Sequence, residues 1–295
     1  MAVDGPDELS RTSLRNAISK AMARVKREYY GKGPARTRTF VYGRIVISVL
    51  DDVLTPVELT LKQGGRSALV RRTRLTFEDI MTKTFTGQIE RLTGARVLAY
   101  HSQVVFDPDM AIEVFVLDRP AHHGGAPTAA ADVRSAHLDP PGEVGDADSL
   151  PHPAGERSAP APPIARVASG GGTDGQLRAA IANAMTRIVH EHWGKGPTRA
   201  KAYLEEGFVF CVLEEPLTTV ERTLVGSGET DLVRELRLEF QEVVNHECAA
   251  QVETLTGRRV RACHSQIVFD PDMLFEIFVL EDAALADTRQ DRRPV

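Results

Sequence analysis

Tyr29-Tyr30-Gly31-Lys32-Gly33-Pro34 returns 163 positions later as His192-Trp193-Gly194-Lys195-Gly196-Pro197. The same offset lays Leu92-Thr93-Gly94 on Leu255-Thr256-Gly257 and His101-Ser102-Gln103 on His264-Ser265-Gln266. It also lays Asp107-Pro108-Asp109-Met110 on Asp270-Pro271-Asp272-Met273. From Leu14 to Asp118 the two registers run without a gap, and close to half the positions are identical. An internal repeat of about 105 residues is two copies of one folding unit, so the unit's fold is the question. The boundaries follow: a first module over 9–118, a linker over 119–173, a second module over 174–284 and a tail over 285–295. The linker is rich in Ala, Pro and Gly and poor in large apolar residues, so it is expected to be disordered, and the tail to be frayed.

Within the unit, Leu14, Ile18, Met22, Val25 and Tyr29 recur at helical spacing, and Gly31 with Pro34 stops that helix. Ile45, Ile47 and Val49 alternate as a strand, with a hairpin partner around Phe40. Thr55-Pro56-Val57-Glu58 has the form of a capping box opening a short helix. A longer helix follows, with Leu69, Phe77, Ile80, Phe85, Ile89 and Leu92 expected on its apolar face. It ends at Gly94, and two strands, 97–106 and 112–117, complete the unit around the Asp107-Pro108-Asp109-Met110 turn. The fold class is α+β: a three- or four-stranded antiparallel sheet backed by helices, present twice.

A net charge of −5 and a pI near 6.0 argue against a nucleic-acid binder. No apolar run approaches the roughly 18–20 residues of a bilayer span, so no membrane insertion is expected. The N-terminus lacks the basic start and apolar stretch of a secretion signal, and Cys211, Cys248 and Cys263 make no disulfide framework. The chain reads as cytoplasmic.

The candidates for chemistry are few. Lys32 and Lys195 sit in a glycine-rich turn that closes a helix, which is the wrong end for a phosphate cradle; a helix stop with a basic group at the negative end is expected instead. Arg71 with Arg74, and Arg234 with Arg237, lie three apart on the long helix and share a face that could meet an anion or a partner's carboxylates. His101 and His264 hold one strand position in both copies, with Gln103 and Gln266 two residues on. Glu58 reads as a cap and Asp107 and Asp109 as turn residues. No nucleophile–base pair and no metal cluster is visible, so no catalytic residue, metal or cofactor is expected.

The copies differ in charge. Leu14–Asp118 carries 17 Lys and Arg against 11 Asp and Glu, and Leu177–Glu281 reverses those counts, so the nets are +6 and −6. Opposite fields of this kind predict that the two copies pair with each other as a pseudo-dimer.

The helix ending in Tyr-Tyr-Gly-Lys-Gly-Pro, the Leu54-Thr55-x-x-Glu58 start, Leu92-Thr93-Gly94-x-x-Val97, the His101 strand and the final Val114-Phe115-Val116-Leu117 resemble a bacterial family. It is the Na+-translocating membrane-potential-generating system family, MpsC (YbcI-like), whose usual members are single modules. Where that family often reads Thr-Asp-Ile after the histidine, this chain has Ser102-Gln103-Val104 and Ser265-Gln266-Ile267. The resemblance implies a non-enzymatic soluble accessory or regulatory protein, peripheral to a membrane system for cation-coupled uptake of inorganic carbon, with a transport complex as protein partner. The alternatives are a sensor holding a small anion such as bicarbonate between the copies, near His101, His264 and the arginines, and, ranked last, an enzyme.

Overall fold

The computed structural model describes residues 6–121 and 173–281; the expected linker and tail lie almost wholly outside the described residues. In the first copy, α1 (Pro6–Tyr30) buries Leu14, Ile18, Met22 and Val25. It stops at Gly31, whose φ of 69° is the left-handed cap a glycine adopts without a Cβ clash. β1 (Arg36–Tyr42) and β2 (Ile45–Asp51) form a hairpin. α2 (Pro56–Gln63) opens on the capping box: Glu58 N–H donates to the Thr55 hydroxyl, and Thr55 N–H donates to the Glu58 carboxylate. α3 (Ser67–Thr93), β3 (Val97–Phe106) and β4 (Asp109–Leu117) complete it. The second copy repeats the order with α4 (Thr173–Trp193), β5 (Arg199–Glu205), β6 (Phe208–Glu214), α5 (Thr219–Gly226), α6 (Thr230–Thr256), β7 (Val260–Val268) and β8 (Met273–Leu280).

Each sheet has four strands, wholly antiparallel, ordered β1-β2-β4-β3 and β5-β6-β8-β7. The central strands β2 and β4 are apolar on both faces. Val46, Leu50, Ala111, Phe115 and Leu117 face α1 and α3 and join their core. Ile45, Ile47, Val49, Ile112, Val114 and Val116 face the other way, into a core shared with Phe208, Phe210, Val212, Phe275, Ile277 and Val279 of the second sheet. The result is four layers, helices–sheet–sheet–helices, with the two sheets as the inner pair.

The contact has the marks of a two-fold axis. The Tyr42 hydroxyl donates to Glu205, its own counterpart 163 residues on, at 2.7 Å, as a residue on such an axis must. Tyr42 also stacks on Tyr203 at 3.9 Å between centroids, and Phe40 packs on Phe208 and Phe210. The chemistry of this contact differs from the charge argument. Among the described residues only Arg261 and Asp107 form an ion pair across it, at 4.0 Å and largely exposed. The buried contact is apolar, and the opposite charges of the copies lie mostly outside it.

The long helix departs from its expected face. Leu69 and Ile80 are exposed at 41% and 63%, whereas Val70, Met81, Phe85 and Ile89 are buried. The buried row runs 70, 74, 78, 81, 85, 89, and positions 74 and 78 hold Arg74 and Glu78. Two buried polar side chains interrupt the apolar stripe, so the pattern slipped onto neighbours about 100° round the helix.

Phe210 is fully buried in the shared core and touches both Phe40 and Tyr42. Phe210→Ala is expected to lower the stability of the whole chain by about 3–5 kcal/mol. Urea unfolding followed by far-UV circular dichroism measures this, and the loss should appear in the transition of both copies.

Candidate functional site

The paired arginines of α3 and α6 divide by role. Arg74 is buried and its guanidinium grips Glu58 through Nε at 2.7 Å and Nη2 at 2.8 Å, while Nη2 also donates to the Val53 carbonyl. Arg237 does the same with Glu221 and the Pro216 carbonyl. Each pair ties the short helix's capping box to the long helix, and burial works against a charge that the paired group restores, so Glu58 and Glu221 are held below the usual carboxylate range. Arg71 and Arg234, one turn earlier, form no ion pair among the described residues; their guanidinia lie over the Phe106 and Phe269 rings at 5.8 and 5.6 Å.

Lys32 and Lys195 are structural clamps. Lys32 Nζ donates to Asp52 Oδ1 at 2.9 Å and to the Leu54 carbonyl at 2.8 Å. Lys195 Nζ donates to the carbonyls of Glu215 and Leu217 at 2.7 and 2.6 Å. Each reaches past the end of its own helix to the connection after β2 or β6, which is held from the far side by Asp109 accepting the Val53 and Leu54 amides or by Asp272 accepting the Leu217 amide. That connection turns through Asp52 and Glu215, both at positive φ, a conformation that needs such external support.

A cavity of about 120 Å³ opens on the seam between the copies. It is lined from the first copy by Arg71, Arg74, Leu75 and His101 to Val104, and from the second by Arg234, Arg237, Leu238 and Ser265 to Ile267. Trp193, Gln241, Leu274 and Glu276 extend it into the second copy. Of the ten residues picked from the sequence, Arg71, Arg74, Arg234, Arg237, His101, Gln103 and Gln266 come together here; Lys32, Lys195 and His264 do not line it. Leu75, Ser102, Ser265, Trp193, Gln241 and Glu276 were missed. Ser102 and Ser265 stood inside the quoted His-Ser-Gln motif, and Glu276 is one of the acids kept in both copies.

The electrostatics of the lining follow from burial. Desolvation first, and the guanidinium of the opposite copy second, push His101 and His264 down to about 4, so both rings are neutral near pH 7. The 3.7 Å approach of His101 Nδ1 to Glu78 is therefore not an ion pair. Burial raises Glu78 to about 8, against the Ser102 amide that donates to it at 2.7 Å, and raises Glu276 to about 7. Burial also pushes the thiols of Cys211, Cys248 and Cys263 up, so they are protonated and poor ligands. Among the described residues no group of three His, Cys, Asp or Glu is placed to hold a metal ion.

These shifts set a pH dependence. Between about pH 6.5 and 8 the folded chain keeps protons on Glu78 and Glu276 that the unfolded chain has lost, so stability falls as pH rises through that window. From about pH 4 to 6.5 the two histidines act in the opposite sense, because only their unfolded forms take up protons. The double variant Glu78→Gln/Glu276→Gln should flatten the decline above pH 6.5 in melting temperature recorded by calorimetry.

Comparison with known proteins agrees with this architecture. The family model described as Na+-translocating membrane potential-generating system (MpsC) matches residues 10–119 and again 173–282. The uncharacterized protein YrhF of Bacillus subtilis strain 168 is 28% identical over 99 residues, which are 32% of this chain and 80% of that protein. The uncharacterized protein YbcI of the same organism is 25% identical over 111 residues, 37% of this chain and 88% of that protein. No solved structure gives a significant match. No helix among the described residues is long and apolar enough to cross a membrane. The repeat, the two four-stranded sheets and the two family matches converge: the chain belongs to the MpsC family and carries that family's module twice.

Proposed function

We propose that the chain is a non-enzymatic regulatory protein that binds a small anion in the cavity on the seam between its copies. The observation that carries this reading is the meeting of Arg71 and Arg234 in one partly apolar cavity, with neither in an ion pair among the described residues. A guanidinium beside apolar walls attracts an anion more strongly than one in open water. With the histidines neutral, the positive character of the lining comes from the arginines, and Gln103 and Gln266 supply amide donors. Bicarbonate, a planar anion of four heavy atoms, suits a space of this size. The reading takes the two copies to be paired in solution, supported by the apolar core that both sheets share. It takes the ligand state to be passed to a protein partner, and the family's description as a Na+-translocating membrane potential-generating system supports a membrane transport complex in that role. The lysine turns, engaged in holding the β2–α2 and β6–α5 connections, carry less of this reading than the cavity does.

Sodium bicarbonate titrated against sodium chloride at equal ionic strength tests the anion site. The expected result is a saturable rise in melting temperature, about 5–10 °C at a hundredfold excess over Kd, abolished in Arg71→Gln/Arg234→Gln. Equal responses to the two salts, or a rise that persists in the double variant, would sink the reading.

A further inference from the structure

The two copies treat the same buried carboxylate differently. In the first, Glu113 is fully buried and receives three donors: the Lys26 ammonium at 2.7 Å, the Tyr100 hydroxyl at 2.7 Å and the Ser102 hydroxyl at 3.1 Å. The Lys26 Nζ also lies 5.2 Å from the centres of both the Tyr30 and Phe85 rings. A buried ion pair with aromatic walls is complete in itself. In the second copy the carboxylate is kept as Glu276, but Val189 stands for Lys26, Cys263 for Tyr100 and Cys248 for Phe85. Glu276 is 6% exposed, and its Oε2 has no hydrogen-bond partner among the described residues. Of the first copy's three donors only the serine is kept, as Ser265, with the Arg237 charge nearby, and a buried carboxylate that has lost its paired ammonium and a phenol donor is costly.

The shape follows the chemistry. The seam cavity reaches Glu276, Gln241, Leu274 and Trp193, whereas their counterparts Glu113, Glu78, Ala111 and Tyr30 do not line it. Valine reproduces Cβ and Cγ of lysine and omits Cδ, Cε and Nζ, the atoms of an ethylammonium. We propose that the arm of the cavity beside Glu276 receives a primary ammonium on a short alkyl chain, the group that Lys26 supplies from within the first copy. Gln241 in place of Glu78 keeps an acceptor carbonyl at the site, and Leu274 and Leu238 give the alkyl chain an apolar wall. Arg237 does not exclude a second cation: its charge is met by Glu221, and in the first copy Arg74 lies 4.6 Å from the same Tyr30 ring that Lys26 faces. This subsite is distinct from Arg71 and Arg234 and does not depend on anion binding.

Isothermal titration of the full chain with n-propylammonium chloride, in buffer matched for chloride, tests it. One site per chain is expected, weakened at least tenfold in Glu276→Gln and in Val189→Lys, where the new side chain fills the arm as Lys26 fills the first copy. Binding should survive in Arg71→Gln/Arg234→Gln. Circular dichroism checks that Val189→Lys folds, and if it does not, the isosteric Glu276→Gln decides. No saturable heat from propylammonium, equal heat from sodium chloride, or undiminished binding in Glu276→Gln would each overturn the assignment.

Discussion

A sheet whose central strands are apolar on both faces cannot be stable in water with helices on one face alone. β2 buries Val46 and Leu50 toward α1 and α3 but also Ile45, Ile47 and Val49 away from them, and β4 does the same with Phe115 and Val114. Something must cover the second face, since each large aliphatic side chain left exposed forfeits about 1.5–3 kcal/mol. Here the second copy covers it, with its own doubly apolar β6 and β8. The tandem arrangement supplies this cover at a fixed ratio of one to one within a single chain, at a local concentration that the linker sets.

Closing the sandwich decides where chemistry can occur. The strands β3 and β7 come together at one side of the stack, bringing the two His-Ser-Gln motifs and the first turns of α3 and α6 to a single seam. The buried Arg74–Glu58 and Arg237–Glu221 pairs keep those helix starts in place by locking the capping boxes beneath them. Removing one partner of such a pair would leave a buried charge uncompensated, so these arginines hold the site's frame rather than serving as its reactive groups. One turn earlier, Arg71 and the half-buried Arg234 form no ion pair among the described residues.

Duplication also freed the copies to diverge. The first copy neutralises its buried glutamate internally with Lys26 and seals the space with Tyr100 and Phe85. The second has exchanged all three for smaller, uncharged side chains, and the seam cavity reaches Glu276 but not Glu113. An otherwise two-fold arrangement thereby acquires a direction.

Much of the architecture is written locally. The offset between the copies, the α1 stripe, the stop at Gly31, the capping box of Thr55 and Glu58 and the alternation of β2 depend on neighbours in sequence, and periodicity and turn chemistry expose them directly. The histidine and glutamine positions and the helix arginines also stood out, because they recur at one offset. What the sequence could not determine rests on contacts between distant residues. Arg74 and Glu78 occupy buried slots of α3, and Lys32 reaches to the β2–α2 connection, because partners far along the chain meet their polar groups there. The reversed net charges pointed to an electrostatic contact between the copies, yet the faces that meet are the apolar ones, since hydrophobic burial acts through the area removed from water and the charged groups keep their hydration outside it. The hollow beside Glu276 is likewise a tertiary fact: Trp193, Gln241, Leu274 and Glu276 are distant in sequence and line one cavity only because the fold brings them together.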